Sequence, residues 1–179
     1  LYHDDAGAIE VKGKVLVSAV DGMHSRLSDF PFLAGFHASR ATLRDVCVKG
    51  AKPIGMFIDL HLADDGDVGK LFDFEAGVSA VSMLTETPIL TGSTLRIGGD
   101  MVIGDRMTGC VGAFGTAEDE SMLAARHKIK PGSAILMTEG SGGGTICTAA
   151  IYSGRQDLVL ETLNIQFVKA CKALIDSNL

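Results

Sequence analysis

Apolar and polar residues alternate at the start of the chain. In "AIEVKGKVLVSAVDG", Ile9 and Val11, then Val15 and Val17, recur at every second position. That period predicts two strands, turned at Gly13–Lys14, the second ending at Asp21. From Phe32 to Lys49 the period lengthens to that of a helix. Phe36, Leu43, Val46 and Cys47 fall on one stripe, Gly50 stops it, and Pro53 follows. "PIGMFIDLHLA" is nearly continuous in apolar residues, which predicts a strand buried on both faces. "DDGDVGKLFDFEAGVSAVSMLTE" places acidic residues at a helix N-terminus, where the dipole favours them. Val68, Leu71, Phe74, Val78 and Val81 then repeat every three or four residues. Pro88 opens another strand, "PILTG". The polar stretch from Gly92 to Asp105 reads as a loop, and "RMTGCVGAFG" as a last strand.

The pattern then breaks. "TAEDESMLAARHKIKPG" is charged and ends in Pro131-Gly132, a short helix and linker that divide the chain. The expected organisation is a first domain over 1–117, a linker over 118–130 and a second unit over 131–179. In the second unit "SAILMTEG" reads as a strand and "SGGGTICTAAIYSG" as a glycine loop feeding a helix. "ETLNIQFVKACKALIDSNL" reads as one further helix with Leu163, Phe167, Cys171 and Leu174 on one face. One strand and two helices leave apolar faces without a sheet to cover. The chain therefore reads as breaking off inside its second domain.

Composition adds three constraints. Hydrophobic residues make up 46% of the 179 and mean hydropathy is +0.27, high for so short a soluble chain; an apolar homodimer interface would account for the excess. A net charge of −6 argues against nonspecific nucleic-acid binding, which needs a basic surface. No apolar run approaches the about 18 residues of a membrane span, and the polar, acidic start has no signal-peptide pattern. Cys47, Cys110, Cys147 and Cys171 form no C-x-x-C pair and read as reduced thiols of a cytoplasmic protein.

Candidate chemistry sits at element ends. Asp4 and Asp5 precede the first strand, Asp21 ends the second, and Asp45 lies near the end of the first helix, where the dipole repels a carboxylate. Asp45 needs a cation or an arginine, and adjacent Arg44 is expected to face elsewhere. Four carboxylates at element ends suit either Mg²⁺ with retained waters or ordinary salt bridges. Gly92, Ser93 and Thr94, with Arg96 and Asp100, could hold phosphate on turn N–H groups and hydroxyls, or form a plain loop. The glycines before the helix in "TEGSGGGTI" could bind an anion at its N-terminus or serve packing. They lack the P-loop ending and the dinucleotide fingerprint. Asp59 and His61 share one side of a strand, but no second histidine is near, so a strand end and helix cap outweigh a metal site.

The order "DDAGAI", "VSAVDGM", "LRDVCVKGAKP", a Gly-Ser/Thr segment and "KPGSAILMTEG" resembles the aminoimidazole ribonucleotide (AIR) synthetase superfamily. That superfamily includes thiamine-monophosphate kinase, selenophosphate synthetase and HypE; the nearest likeness is to archaeal synthetase-related proteins. The resemblance covers nearly the whole chain. It implies an α+β fold: a PurM N-terminal-like domain that dimerises into a shared β-barrel, then the start of a PurM C-terminal-like domain. It implies ATP and Mg²⁺ as cofactors, with Asp4, Asp5, Asp21 and Asp45 as metal ligands or their supports. Gly92, Ser93 and Thr94 would stand where many relatives carry Gly-Gly-Asp-Thr, which would leave one metal contact missing. The implied activity is phosphoryl transfer to a small-molecule acceptor that the sequence does not identify, by a homodimer with no general base that can be named. The alternative is a nucleotide-binding or scaffold paralogue without turnover, and ATP turnover separates the two.

Overall fold

The computed structural model describes residues 5–98, 105–124, 128–135 and 143–177. β1 (Gly7–Val11) and β2 (Lys14–Gly22) form an antiparallel hairpin whose last pair is Val11 with Lys14. The turn is therefore Lys12–Gly13, one residue earlier than expected. Both residues have positive φ, 52° and 81°, as a two-residue turn matched to strand twist requires. α1 (Pro31–Val48) starts with proline in its first turn, where a missing N–H costs nothing. β3 (Lys52–Ala63), α2 (Gly69–Thr85) and β4 (Ile89–Ile97) make a parallel strand–helix–strand unit, and β5 (Met107–Ala117) is the central strand, antiparallel to both β2 and β3. The strand order is β1-β2-β5-β3-β4.

One face of this sheet carries Val15, Val17, Ile58, Leu60, Val111 and Ala113, all buried under α1 and α2. The expected helical stripe is there: Phe36, Leu43, Val46 and Cys47 are buried. In α2, Phe74, Val78 and Val81 are buried, while Val68 lies exposed at the N-cap. α1 and α2 pack closely because each offers a glycine at the crossing. A Cβ on Gly35 would lie 2.2 Å from the Phe74 carbonyl oxygen, and one on Gly77 2.1 Å from that of Phe32.

Among the described residues, the opposite face of the sheet is left open. Its register aligns Ile9, Leu16, Val20, Phe114, Phe57 and Leu95 on that side. Ile9 and Val20 are 59% and 60% exposed. Phe57 and Phe114 stack with centroids 5.1 Å apart, and Phe57 lies over Gly112, where any Cβ would strike its ring. β3 is thus buried on one face, not two. Its apolar run was read as a central strand of a doubly covered sheet, but the alternating burial shows a single helical layer.

The C-terminal part differs from its expected layout. "SAILMTEG" lies largely outside the described residues, and the three that are described, Ser133–Ile135, form no strand. α3 (Gly143–Tyr152) follows the glycines as expected. A separate helix that was not expected, α4 (Gln156–Thr162), ends where the helix expected over 161–179 was to begin, and that helix is shorter, α5 (Gln166–Asp176). Asn164 makes the break: its amide donates to the Glu161 carbonyl and its Oδ1 accepts from Gln166 N, competing with helical bonds. The buried positions therefore shift to Ile165 and Val168, and Leu174 is exposed. These helices join the same core as α1. Lys172 Nζ donates to the Thr85 carbonyl at 2.6 Å, and Lys52 pairs with Asp176 at 2.9 Å.

Candidate functional site

Asp21 continues the inward alternation of Val15, Val17 and Ala19 to the last turn of β2. Pairing with Val111 on β5 fixes it there, and α1 is pinned over the same spot by Thr42, whose hydroxyl donates to the Val111 carbonyl at 2.8 Å. One oxygen of Asp21, Oδ2, is buried and has no hydrogen-bond partner among the described residues. A buried carboxylate oxygen left unpaired is costly unless a cation covers it.

Asp45, in the last turn of α1, is 9% exposed. Burial pushes its carboxyl above the usual range; the Arg44 guanidinium opposes this, and the Asp21 and Asp5 carboxylates add to the rise. Asp21 and Asp5 are therefore near enough for their charges to act on Asp45. The expectation that Arg44 would face away is corrected: its Nε donates to Asp45 Oδ1 at 2.9 Å and Nη2 lies 2.8 Å from the same oxygen. Neighbours on a helix diverge at Cβ, but the long arginine stem spans the gap.

Asp5 precedes β1 and is exposed; Asp4 lies outside the described residues. Among the described residues no three acidic, histidine or cysteine side chains are close enough to hold a metal by themselves. What the aspartates offer is a buried Asp45 and a partly buried Asp21 with one unpaired oxygen, and an exposed Asp5 whose charge reaches Asp45. That donor set fits a hard divalent cation that keeps part of its water.

Gly92, Ser93 and Thr94 are not in a turn. They lie inside β4, opposite Ile58, Asp59 and Leu60. The cradle of turn N–H groups is therefore absent at these positions. The stretch from Gly92 to Asp105 was read as loop for its polar and glycine residues; pairing along β3 carries its first part, to Ile97, into β4. Arg96 is also committed elsewhere, donating to the carbonyls of Ala63, Asp64 and Gly66 and so tying down the loop before α2. The triplet Gly98-Gly99-Asp100 itself spells Gly-Gly-Asp just after β4. Of that triplet only Gly98 is described. His61 Nε2 lies 3.3 Å from Asp59 Oδ2 on the open sheet face, remote from Asp21 on the helical face.

A cleft of about 1030 Å³ opens beside Asp21. α1 contributes His37, Arg40 and Arg44; the first turn of α3 contributes Gly143, Gly144 and Thr145; Asn164 and Phe167 come from the C-terminal helices and their link. His37 and Arg40 were missed in the sequence. Their signal was polar side chains at i and i+3 on a helix face otherwise made of small apolar residues.

Residues 3–117 match the family described as "AIR synthase related protein, N-terminal domain". The chain belongs to that family. An uncharacterized protein of Methanocaldococcus jannaschii is 57% identical over 177 residues, 99% of this chain and 39% of its own length, so this chain spans well under half of that relative. Among solved structures, a Thermus thermophilus protein shares the fold with a TM-score of 0.69 at 21% identity, covering 92% of this chain and 55% of that one. AaThiL complexed with AMPPCP and TMP shares it with a TM-score of 0.68 at 17% identity, covering 94% and 56%. The AIR synthase related family has the PurM-like α+β fold seen here, a five-stranded sheet layered with helices.

Proposed function

We propose that this chain is the nucleotide-binding part of an ATP- and Mg²⁺-dependent enzyme that transfers a phosphoryl group to a small-molecule acceptor. The observation that carries this reading is the unpaired, buried Oδ2 of Asp21, beside Asp45 and Asp5 at the mouth of a large cleft. Family membership and the fold shared with a nucleotide-analogue complex support it.

Asp21 and Asp45 would hold the metal, with Asp5 and its neighbour Asp4 completing the acidic set. Bound there, Mg²⁺ supplies the positive charge that lets carboxylates and a triphosphate share one site. The chain's own residues do the positioning. Thr42 locks α1 to the sheet, and Arg44 fixes the rotamer of Asp45. The C-terminal helices wall the cleft from water. Asp100, following Gly98-Gly99, restores the carboxylate of the Gly-Gly-Asp triplet and favours turnover over a binding-only paralogue. The enzyme works as a homodimer joined through the open sheet face.

Calorimetry with ATP, with Mg²⁺ and with EDTA, tests the nucleotide site on this chain and on a longer homologue. Binding should require Mg²⁺. Affinity that is the same with and without the metal would overturn the reading; binding without ATP turnover in the longer form would convert it to the binding-only alternative.

A further inference from the structure

The cleft wall contributed by α1 has a second chemical character, about two turns of helix from the acidic set. Asp45 and His37 are eight residues apart, roughly 12 Å along the axis. At the His37 end the polar groups are donors. Arg40 Nη1 donates to the carbonyls of Thr162 (2.6 Å) and Asn164 (3.0 Å), and Nη2 lies 3.0 Å from His37 Nδ1. An arginine can only donate, so Nδ1 accepts and the imidazole proton sits on Nε2. That Nε2–H is buried, in a residue 6% exposed, and has no partner among the described residues. Arg40 itself has no carboxylate partner among them, although a guanidinium half-withdrawn from water ordinarily finds one.

The first turn of α3 abuts this pair. A Cβ on Gly143 would lie 2.1 Å from Arg40 Nη2, so glycine there lets the helix end approach the guanidinium. Gly143, Gly144 and Thr145 line the cleft, and first-turn N–H groups have no acceptor within their own helix. Among the described residues, the acidic ones lining the cleft are Asp21, assigned above to the metal, and Glu161, which is exposed. A positive guanidinium, held by two carbonyls and His37 but by no carboxylate among the described residues, thus converges with an unpartnered neutral imidazole N–H and a helix N-terminus.

We propose that His37, Arg40 and the first turn of α3 form a cradle for an anionic oxygen group, a carboxylate or a phosphoryl, carried by the acceptor molecule. This rests on reading the cleft as the site of phosphoryl transfer, and it names the class of acceptor. The anion binds here bare, without a metal: of the described carboxylates in the cleft, Asp21 is committed to the cation and Glu161 is exposed. The triphosphate, clothed in Mg²⁺, belongs to the aspartates. The two ends of the cleft sort the two ligands by charge.

The test is titration of the isotope-labelled chain with inorganic phosphate and, separately, with acetate, in the absence of Mg²⁺ and nucleotide. The His37 imidazole N–H and the Thr145 amide should shift saturably with at least one anion, and which anion does so assigns phosphoryl or carboxylate. His37→Gln and His37→Phe should each weaken that binding roughly tenfold, the loss of one hydrogen bond to a charged group. Asp21→Asn should leave it intact. Absence of a saturable shift with either anion, or unchanged affinity in both His37 variants, would overturn the cradle. If Mg-ATP fails to bind while phosphate still shifts His37, the nucleotide reading fails and the cradle stands.

Discussion

Arg44 reaches sideways to the carboxylate of its own neighbour, Asp45, with Nε 2.9 Å from Oδ1. The contact keeps a buried acid from being wholly unpaired, yet burial and the nearby charges of Asp21 and Asp5 still hold the carboxyl above its usual range. A carboxyl raised in the folded state binds more protons there than in the unfolded chain, so stability falls as pH rises above the ordinary aspartate range. Asp45→Asn keeps the shape and an oxygen for Arg44 but removes the charge. The variant should melt higher than wild type at pH 7, and the gap should close as pH drops below the carboxylate range. Mg-dependent ATP binding should weaken by roughly tenfold or more. Thermal melts across pH and calorimetry with Mg²⁺ check the two halves. A variant that is less stable at pH 7 and binds Mg-ATP as well as wild type would make Asp45 a structural residue.

His37 gives a pH dependence of opposite sign. Burial, then the charges of Arg40 and His24, lower its pKa from 6.5 to about 4. The unfolded chain takes up a proton below pH 6.5 that the folded chain refuses until about 4. Stability from this group is therefore complete above 6.5 and drains away as pH falls through that interval. The loss amounts to about 3 kcal/mol at its limit. Denaturant titrations at several pH values should show this slope in wild type and a flatter one in His37→Gln. Equal slopes would mean that the imidazole is free to protonate in the folded protein.

Much of the frame was legible because burial follows period. The stripe Phe36, Leu43, Val46 and Cys47 is buried as read, and the hairpin, α1, α2 and β5 stand close to their expected bounds. What was not legible depends on partners far along the chain. The small polar residues Gly92–Thr94 look like loop and become strand because β3 lies alongside. The apolar run of β3 looks like a doubly buried strand because a sequence cannot say whether a second layer covers the sheet. The break at Asn164 is one side-chain amide outcompeting helical bonds that the apolar spacing favoured. The aspartates stood out by type and place, whereas the donor pair His37–Arg40 is visible only once Thr162, Asn164 and Gly143 are brought against it.

The crossing of α1 and α2 is set by glycine rather than by large side chains. A Cβ at residue 77 would sit 2.1 Å from the Phe32 carbonyl oxygen and 2.8 Å from Phe36 N, and backbone cannot step aside as a side-chain tip can. The helices would have to separate, opening the core at Phe74 and Val78. Alanine's better helix propensity, up to about 1 kcal/mol, does not offset this. Gly77→Ala should therefore destabilise by about 1–3 kcal/mol, the usual cost of overpacking. Urea unfolding reads the change; a neutral or stabilised variant would mean the helices have slack that these contacts deny.

The open sheet face makes the strongest demand on assembly. Ile9, Val20 and Leu95 lie exposed around the stacked Phe57–Phe114 pair, and the opposite face already spends α1 and α2 on its own cover. A second copy presenting the same face would bury these residues symmetrically about a twofold axis. A stable association of this kind buries on the order of 1,600 Å² in total, a demand that strands β1 to β5 side by side can meet. Single charges set into that face test it without touching the core, because both target residues project from the sheet. Val20→Lys and Ile9→Lys should leave the melting of the isolated subunit nearly unchanged but shift the chain from dimer to monomer in light scattering, the double variant more than either single one. The partner of Val20 across the ladder is Gly112, which offers no side chain to shield the new charge. Like charges would then meet across the twofold axis in the dimer and be solvated in the monomer. A wild-type chain that already runs as a monomer at micromolar concentration would refute assembly through this face for the span studied, and dimers that survive both lysines would place the interface elsewhere.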